Sequence, residues 1–199
     1  MIRIRFPIFV LAGFLAILAP QAWAGTPTES LKTSIDKIIP ILQDPALKGD
    51  SKLNERRAAI RAVTSEIFDF TESARRCLGR HWQSRSDQER QEFTALFSGL
   101  LERTYVTKLE YYAGEQIAFT GETVKGDLAT VHTKILTKKG TDLSVDYQIL
   151  RRGNRWVVYD VLIDGVSFVA NYRAQFNKII QTSSYEELVR QIKTKQESL

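Results

Sequence analysis

The chain has 199 residues, 43% of them apolar, with a formal net charge of +5 and a single cysteine. This apolar fraction can bury enough surface to offset the entropy of ordering, which excludes intrinsic disorder. The lone thiol, Cys77, excludes a disulfide scaffold within the chain. Basic and acidic residues alternate along the sequence without a concentrated basic face, so we do not expect nucleic acid as a partner.

The first 24 residues have the order of a secretory signal peptide. Residues 1–5 are basic, residues 6–19 are apolar, and a small-x-small pattern ends at Ala24. The apolar run is shorter than the roughly 20 residues that a helix needs to cross a bilayer. The sequence therefore predicts cleavage after Ala24, a periplasmic location, and one domain spanning residues 25–199. An uncleaved N-terminal anchor is the alternative.

Helical signals occupy the first half of the predicted mature chain. A polar capping residue followed three positions later by glutamate is typical of a helix N-terminus. Such pairs occur at Thr26 and Glu29, at Asp69 and Glu72, at Ser86 and Glu89, and at Ser183 or Ser184 with Glu186 or Glu187. A further helix carries apolar residues at helical spacing between residues 53 and 67. The helix that begins at Ser86 is the longest, and it closes at Gly114.

From Glu115 onward the apolar period falls to two, which indicates strands. Val145, Tyr147 and Ile149 share one face of a strand, and polar residues alternate with them. Turn signals at hairpin spacing lie at residues 126–127, 139–140 and 153–154. The last strand, residues 156–163, is apolar on both faces, so we expect both faces to be covered. After Gly165 the pattern returns to helical, with Val166 on the inward face.

The order of helices, four antiparallel strands and further helices predicts an α+β fold. We expect a curved four-stranded antiparallel sheet packed by helices from both ends of the chain. Such an arrangement is cone-like, and side chains either fill the cone or leave an apolar pocket.

Candidate catalytic groups are few. His81 and His132 lack a second histidine at the spacing of metal ligands, so no metal site is expected. Cys77 has no adjacent base and is typical of a small buried hydrophobe. Asp146 and Asp160 could do acid–base work if buried, although their polar neighbours favour a solvated face. We expect a protein that is not an enzyme, with an enzyme using one of these aspartates as the alternative.

Bulky apolar residues come from the long helix, the strands and the helix after Gly165, and these elements are expected to face one another. They are the candidate pocket residues Phe93, Phe97, Leu101, Tyr105, Val145, Tyr147, Ile149, Val158, Val161, Ile163, Phe168, Val169, Tyr172 and Phe176. A filled core made of the same residues is the competing interpretation, and it would suit a purely structural partner-binding domain.

Several different motifs follow one another along the chain in a recognisable order. The most specific is Ile163-Asp164-Gly165-Val166-Ser167-Phe168-Val169. It is accompanied by Phe68-Asp69-Phe70, Gly79-Arg80-His81-Trp82, Leu100-Leu101-Glu102-Arg103-Thr104-Tyr105, Val145-Asp146-Tyr147, Trp156-Val157-Val158-Tyr159-Asp160-Val161, Asn171-Tyr172-Arg173 and Gln175-Phe176. Together they resemble the periplasmic phospholipid-carrier family of the Mla (maintenance of lipid asymmetry) pathway, also called the toluene-tolerance auxiliary transport component.

This resemblance implies a carrier that holds phospholipid acyl chains in an apolar pocket and needs no cofactor. It also implies two partners, an inner-membrane ABC transporter bearing a lipid-binding ring and an outer-membrane lipoprotein complex. We expect a monomer. A hopanoid-associated branch of proteins is similar, so a hopanoid or another amphiphile is the alternative cargo.

Overall fold

The computed structural model describes residues 25–109, 112, 114–136 and 140–198. The predicted signal peptide and its cleavage point after Ala24 lie outside these residues. The helices are α1 (Pro27–Gln43), α2 (Leu53–Ile67), α3 (Phe70–Leu78), α4 (Asp87–Leu109), α5 (Phe168–Thr182) and α6 (Tyr185–Glu197). The strands are β1 (Gln116–Lys125), β2 (Leu128–Leu136), β3 (Asp142–Arg152), β4 (Arg155–Ile163) and β5 (Val166–Ser167). None of the helices in the described part of the chain has the length and apolar content of a membrane span.

The strands form one open antiparallel sheet in the order β1-β2-β3-β4-β5. The predicted α+β class is therefore confirmed, with helices from both ends of the chain packed on the sheet. Pairing is interrupted between Phe119 and Gly121 and again between Gln148 and Ile149. Such bulges bend a strand and increase its twist, which suits the curved sheet expected from the sequence.

The sheet has five strands among the described residues, where the sequence predicted four. The additional strand, β5, is two residues long and pairs with Leu162 and Ile163. Asp164 and Gly165 both have positive φ, 47° and 78°, so the chain reverses at once and returns alongside the end of β4. Val166 consequently lies in β5 with 60% of its surface exposed, and the placement of this residue on the inner face of a helix is wrong.

The predicted helix N-termini are confirmed. In each, the backbone N–H of the third helical residue donates to the capping side chain: Glu29 to Thr26 (3.1 Å), Glu72 to Asp69 (2.8 Å), Glu89 to Ser86 (3.2 Å) and Glu187 to Ser184 (3.1 Å). These bonds satisfy donors that have no partner within a helix. Gly79 ends α3 with a φ of 54°, a backbone conformation that favours glycine.

Strand β4 is covered on both faces, as the sequence predicted. Val157, Val158, Tyr159 and Asp160 are all buried. β5 pairs only with the last two residues of β4, and the junction of α2 and α3 lies along the same strand at Val158 and Tyr159. The backbone N–H of Asp69 donates to the Val158 carbonyl at 2.8 Å, and the Ser73 hydroxyl donates to the Tyr159 carbonyl at 2.7 Å. This junction therefore satisfies edge groups that would otherwise lack a partner.

Two main clusters of buried apolar side chains stabilise the fold. The first, here called the helical cluster, joins α3, α4, α5 and α6 through Ala74, Cys77, Leu78, Phe93, Phe97, Leu100, Val169, Tyr172, Phe176, Tyr185, Leu188 and Ile192. The second, here called the sheet cluster, joins one face of the sheet to α1 and α2 through Leu31, Ile67, Ala129, Val131, Ile149 and Val158.

Candidate functional site

The sheet cluster is built by alternation along the central strands. Val145, Tyr147 and Ile149 point to the same face of β3, and they pair across to β2 with Thr133, Val131 and Ala129. Leu31 of α1 and Ile67 of α2 pack onto this face. We call it the inner face of the sheet.

The two clusters differ in how completely they are closed. In the helical cluster, the twelve buried residues outnumber the seven partly buried apolar residues that pack against them. In the sheet cluster the proportion is reversed, because six buried residues are accompanied by eight that keep accessible surface. Those eight are Ile35, Ile38, Val63, Phe68, Phe119, Tyr147, Trp156 and Val161. A filled interior leaves few large side chains in this state, and we call this incompletely covered apolar surface of the inner face the recess.

Seven of the candidate pocket residues belong to the helical cluster or pack against it. They are Phe93, Phe97, Leu101, Tyr105, Val169, Tyr172 and Phe176. The ring of Phe97 meets those of Tyr172 and Phe176 edge-on, at centroid distances of 5.3 and 5.9 Å. Phe93 is 0% exposed, and its ring lies 5.7 Å from that of Phe176. These aromatic contacts form a close-packed core in which the rings fill the space between the helices.

Four other candidates, Tyr147, Ile149, Val158 and Val161, belong to the sheet cluster. Val145 is buried, and Ile163 is half-buried at the end of β4 as its pairing partner. Phe168 begins α5 and stacks on Tyr105, with ring centroids 4.3 Å apart. Eleven of the fourteen candidates are thus divided between the two clusters, and the role of the candidate set in ligand binding stays a prediction.

Sequence reasoning did not assign several residues of the recess to a site. Ile35 and Ile38 lie on α1, Val63 lies on α2, and Phe119 lies on the bulged strand β1. Their apolar periodicity was visible in the sequence. Periodicity predicts which face of an element is inward, but it does not show which side chains remain uncovered after packing.

Polar groups on the inner face differ in whether they have a hydrogen-bond partner within the protein. The hydroxyl of Thr133, which is 1% exposed, donates to the Val145 carbonyl at 2.7 Å. Tyr147 keeps accessible surface, and burial raises the pKa of its phenol to about 12. Protein atoms therefore surround the phenol while part of it faces the recess.

Asp160 is 5% exposed, so the expectation of a solvated carboxylate is wrong for this residue. The side chain lies on the face opposite the sheet cluster, where α5 covers it. Its two oxygens accept hydrogen bonds from the Ser167 hydroxyl at 2.5 Å and from the backbone N–H of Val169 at 3.0 Å. These bonds make Asp160 the link between β4 and the first turn of α5.

The remaining catalytic candidates also have structural partners. Asp146 is partly exposed, and its Oδ1 accepts a hydrogen bond from Nδ1 of His132 at 3.0 Å. The Nε2 atom of His81 lies 2.9 Å from Oδ1 of Asn177. Across the described residues, no three or more His, Cys, Asp or Glu side chains are arranged to hold a metal ion.

Cys77 is 0% exposed within the helical cluster, which confirms its prediction as a small buried hydrophobe. Its Sγ lies 3.7 Å from the Val169 carbonyl oxygen. Burial raises the pKa of the thiol far above its usual range, with the nearby Asp160 charge acting in the same direction. The neutral thiol therefore persists at physiological pH, and it is a poor nucleophile.

A buried carboxylate on α3 stabilises the side of the sheet away from the recess. Glu72 is 7% exposed and accepts from the guanidinium groups of Arg75 at 2.6 Å and Arg76 at 2.8 Å. The hydrogen bond from Arg75 is the main cause that lowers the pKa of Glu72 to about 2. Arg152 approaches the same carboxylate at 3.5 Å and pairs with Asp69 at 2.9 Å. The group joins α3 to the β3–β4 hairpin.

Known proteins with similar sequences and structures match most of the length of this chain. A family model described as MlaC protein matches residues 32–194. The intermembrane phospholipid transport system binding protein MlaC of Haemophilus influenzae is 24% identical over 186 residues, which cover 91% of this chain and 86% of that protein.

A solved structure shows the same fold. It is the phospholipid-binding protein from Ralstonia solanacearum in complex with a phospholipid, matched with a TM-score of 0.78 and 24% identity. The match covers 89% of this chain and 98% of that chain. The resemblance seen in the sequence motifs is confirmed by the family model, which spans well over half of the residues: the chain belongs to the MlaC protein family.

Proposed function

We propose that this protein is a phospholipid carrier that holds acyl chains against the inner face of its sheet. The observation that carries the proposal is the excess of half-buried large apolar side chains around the sheet cluster. Membership of the MlaC protein family supports it, as does the similarity to proteins named for phospholipid binding and intermembrane phospholipid transport.

The energetics of lipid transfer suit an apolar recess. Each methylene group withdrawn from water contributes about 0.8 kcal/mol, so a two-chain lipid does not cross an aqueous space unaided at a useful rate. Transfer from a bilayer to a recess lined by Ile35, Val63 and Val161 exchanges one hydrocarbon environment for another. The net free energy of that step is small, and loading and release are both feasible.

The setting of the carrier follows from the sequence. The signal peptide predicted in residues 1–24 supports a periplasmic location, and the mature domain 25–199 would act there as a monomer. The family resemblance supports an inner-membrane ABC transporter with a lipid-binding ring and an outer-membrane lipoprotein complex as donor and acceptor. The same reasoning supports a protein that carries its cargo without chemical change, since Asp160 and Cys77 are both engaged in packing the fold.

The recess can be filled by substitution to test the proposal. The full chain, expressed with its own N-terminal segment and purified without detergent, is expected to contain stoichiometric phospholipid by extraction and mass spectrometry. Val161→Trp adds a large side chain to the half-buried inner face and is expected to lower bound lipid several-fold.

Leu128→Trp is the matched control, because Leu128 is 43% exposed at the start of β2 and pairs with Leu150 on the face opposite the sheet cluster. This variant is expected to retain lipid at the wild-type level, and thermal unfolding shows whether both variants are folded. Wild-type protein that contains no lipid, and takes up none from phospholipid vesicles, would contradict the proposed function.

A further inference from the structure

The phenol of Tyr147 is an exception among polar groups on the inner face. Its neighbours across the sheet are Val131 on β2 and Val161 on β4, and the residues along β3 on the same face are Val145 and Ile149. The surroundings of the ring are thus apolar on both sides. The half-buried side chain packs against the sheet cluster and keeps surface toward the recess.

No residue in the described part of the chain forms a hydrogen bond with the Tyr147 hydroxyl. Several other enclosed hydroxyls have protein partners. Thr133 donates to Val145, Tyr185 donates to the Glu89 carbonyl at 3.2 Å, and the hydroxyls of Tyr105 and Tyr172 bond to each other. Burial also holds the Tyr147 phenol in its neutral form, which can donate a hydrogen bond at any physiological pH.

The Tyr147 hydroxyl is not among the fully enclosed polar atoms that lack a partner, so a molecule on the inner face can reach it. On a surface that is otherwise apolar, phenylalanine would fill the same space without a polar group to satisfy. Tyrosine at this position is therefore explained best by a partner that arrives with the cargo. Acyl chains have no hydrogen-bond acceptor along their length. A glycerolipid, however, has an ester carbonyl at the head of each chain, where hydrocarbon meets the polar backbone.

We propose that the Tyr147 hydroxyl donates a hydrogen bond to an ester carbonyl of the bound lipid and thereby selects ester-linked glycerolipids. The inference rests on the proposed carrier function and deepens it. It also separates the two cargo classes that the sequence left open, because a hopanoid ring system has no ester at the corresponding depth.

The test compares lipids that differ only in this acceptor. Protein freed of lipid is incubated with vesicles containing equal amounts of a diester phosphatidylethanolamine and its diether analogue with the same chains. Bound lipid is then extracted and the ester-to-ether ratio is measured by mass spectrometry. The two lipids differ in how readily they leave the vesicle. This difference is the same for every variant, so it cancels when the ratios of two variants are compared.

We expect the ester-to-ether ratio of wild-type protein to exceed that of Tyr147→Phe by about 2- to 10-fold, the range for one hydrogen bond. Tyr185→Phe removes the same atom from the helical cluster and is expected to keep the wild-type ratio. Equal ratios in all three proteins would overturn the inference while leaving lipid carriage intact, and this includes the case in which water satisfies the hydroxyl. Failure of every protein to bind either lipid would overturn the proposed function as well.

A second measurement needs no variant. Wild-type protein loaded with lipid labelled with ¹³C at the ester carbonyls is expected to show a carbonyl stretching band shifted to lower frequency for one of the two esters. A single unshifted band would show that neither ester accepts a hydrogen bond, and the inference would be wrong.

Discussion

Oδ1 of Asp160 accepts a hydrogen bond from the backbone N–H of Val169 at 3.0 Å, and this bond joins β4 to the start of α5. The other carboxylate oxygen accepts the Ser167 hydroxyl, which itself caps the helix by accepting from the N–H of Ala170 at 2.9 Å. A single buried carboxylate thus organises the turn in the most specific sequence motif of the chain.

Replacing this carboxylate is expected to reduce stability. Asp160→Ala leaves two buried donors without a partner, and we expect the free energy of unfolding to fall by about 2–4 kcal/mol. Ser167→Ala removes the helix cap and one of the two hydrogen bonds to Asp160 but leaves the bond from the Val169 N–H, and it is expected to cost about 1 kcal/mol. Urea unfolding followed by circular dichroism measures both changes. Equal effects of the two substitutions would contradict the central role assigned to Asp160.

Aromatic residues of the two clusters are expected to respond differently to truncation. Phe176 is 4% exposed and is packed among three aromatic rings, so Phe176→Ala is expected to lower the free energy of unfolding by about 3–5 kcal/mol. The lipid content per folded molecule should stay unchanged. Phe119 is half-buried beside the recess, so Phe119→Ala is expected to cost about 1–2 kcal/mol and to alter lipid retention. Unfolding curves and lipid extraction, applied to both variants, separate the two effects. A loss of lipid from Phe176→Ala equal to that from Phe119→Ala would show that the clusters do not differ in function.

The buried carboxylate of Glu72 makes the free energy of unfolding depend on pH. Its pKa is lowered from 4.5 to about 2, so the ionised form is favoured by folding. The stabilisation is fully present above pH 4.5 and is lost as the pH falls from 4.5 through about 2. Because Arg75 is half exposed, solvent screening reduces the effect to about 2 kcal/mol.

Glu72→Gln provides the comparison for this effect. The variant is expected to be less stable than wild type at neutral pH, and the difference should shrink as the pH falls below 4.5. Urea unfolding over a pH series measures the difference directly. A constant difference across the series would show that ionisation of Glu72 does not contribute.

The thiol of Cys77 is expected to report on opening of the helical cluster. Because the side chain is fully buried and burial raises its pKa, reaction with a thiol reagent at neutral pH should be slow in the native protein and fast in urea. Absorbance during reaction with an aromatic disulfide follows the rate. Native protein that reacts as fast as unfolded protein would contradict the placement of Cys77 in the core.

Local signals in the sequence were sufficient for most of the elements. A helix cap such as Thr26 with Glu29 depends on residues three apart, and strand alternation such as Val145, Tyr147 and Ile149 depends on residues two apart. Strand β5 was not predicted, because two residues are too few to show the alternation of apolar and polar residues that indicates a strand. Its existence depends on the reversal at Asp164 and Gly165, which brings Val166 back to Ile163.

The candidate site shows where sequence reasoning reaches its limit. All the candidate residues were chosen for bulk and periodicity, and these properties do not distinguish Phe97 in a closed core from Val161 beside a recess. The same limit applies to Asp160, whose polar neighbours in sequence suggested solvent. Burial is a property of all the elements that pack around a side chain, most of which are distant in the chain.

The sequence by itself determined the α+β class, the capped helix N-termini and the family resemblance, and it predicted an export signal, because each depends on residues close together or on ordered motifs. The tertiary structure alone decided which apolar residues fill the core and which line a recess. It also decided that Asp160 and Glu72 are buried and paired, while the hydroxyl of Tyr147 has no partner in the described chain. The physical reason is that exposure and hydrogen bonding depend on the packing of distant elements, which no short stretch of sequence contains.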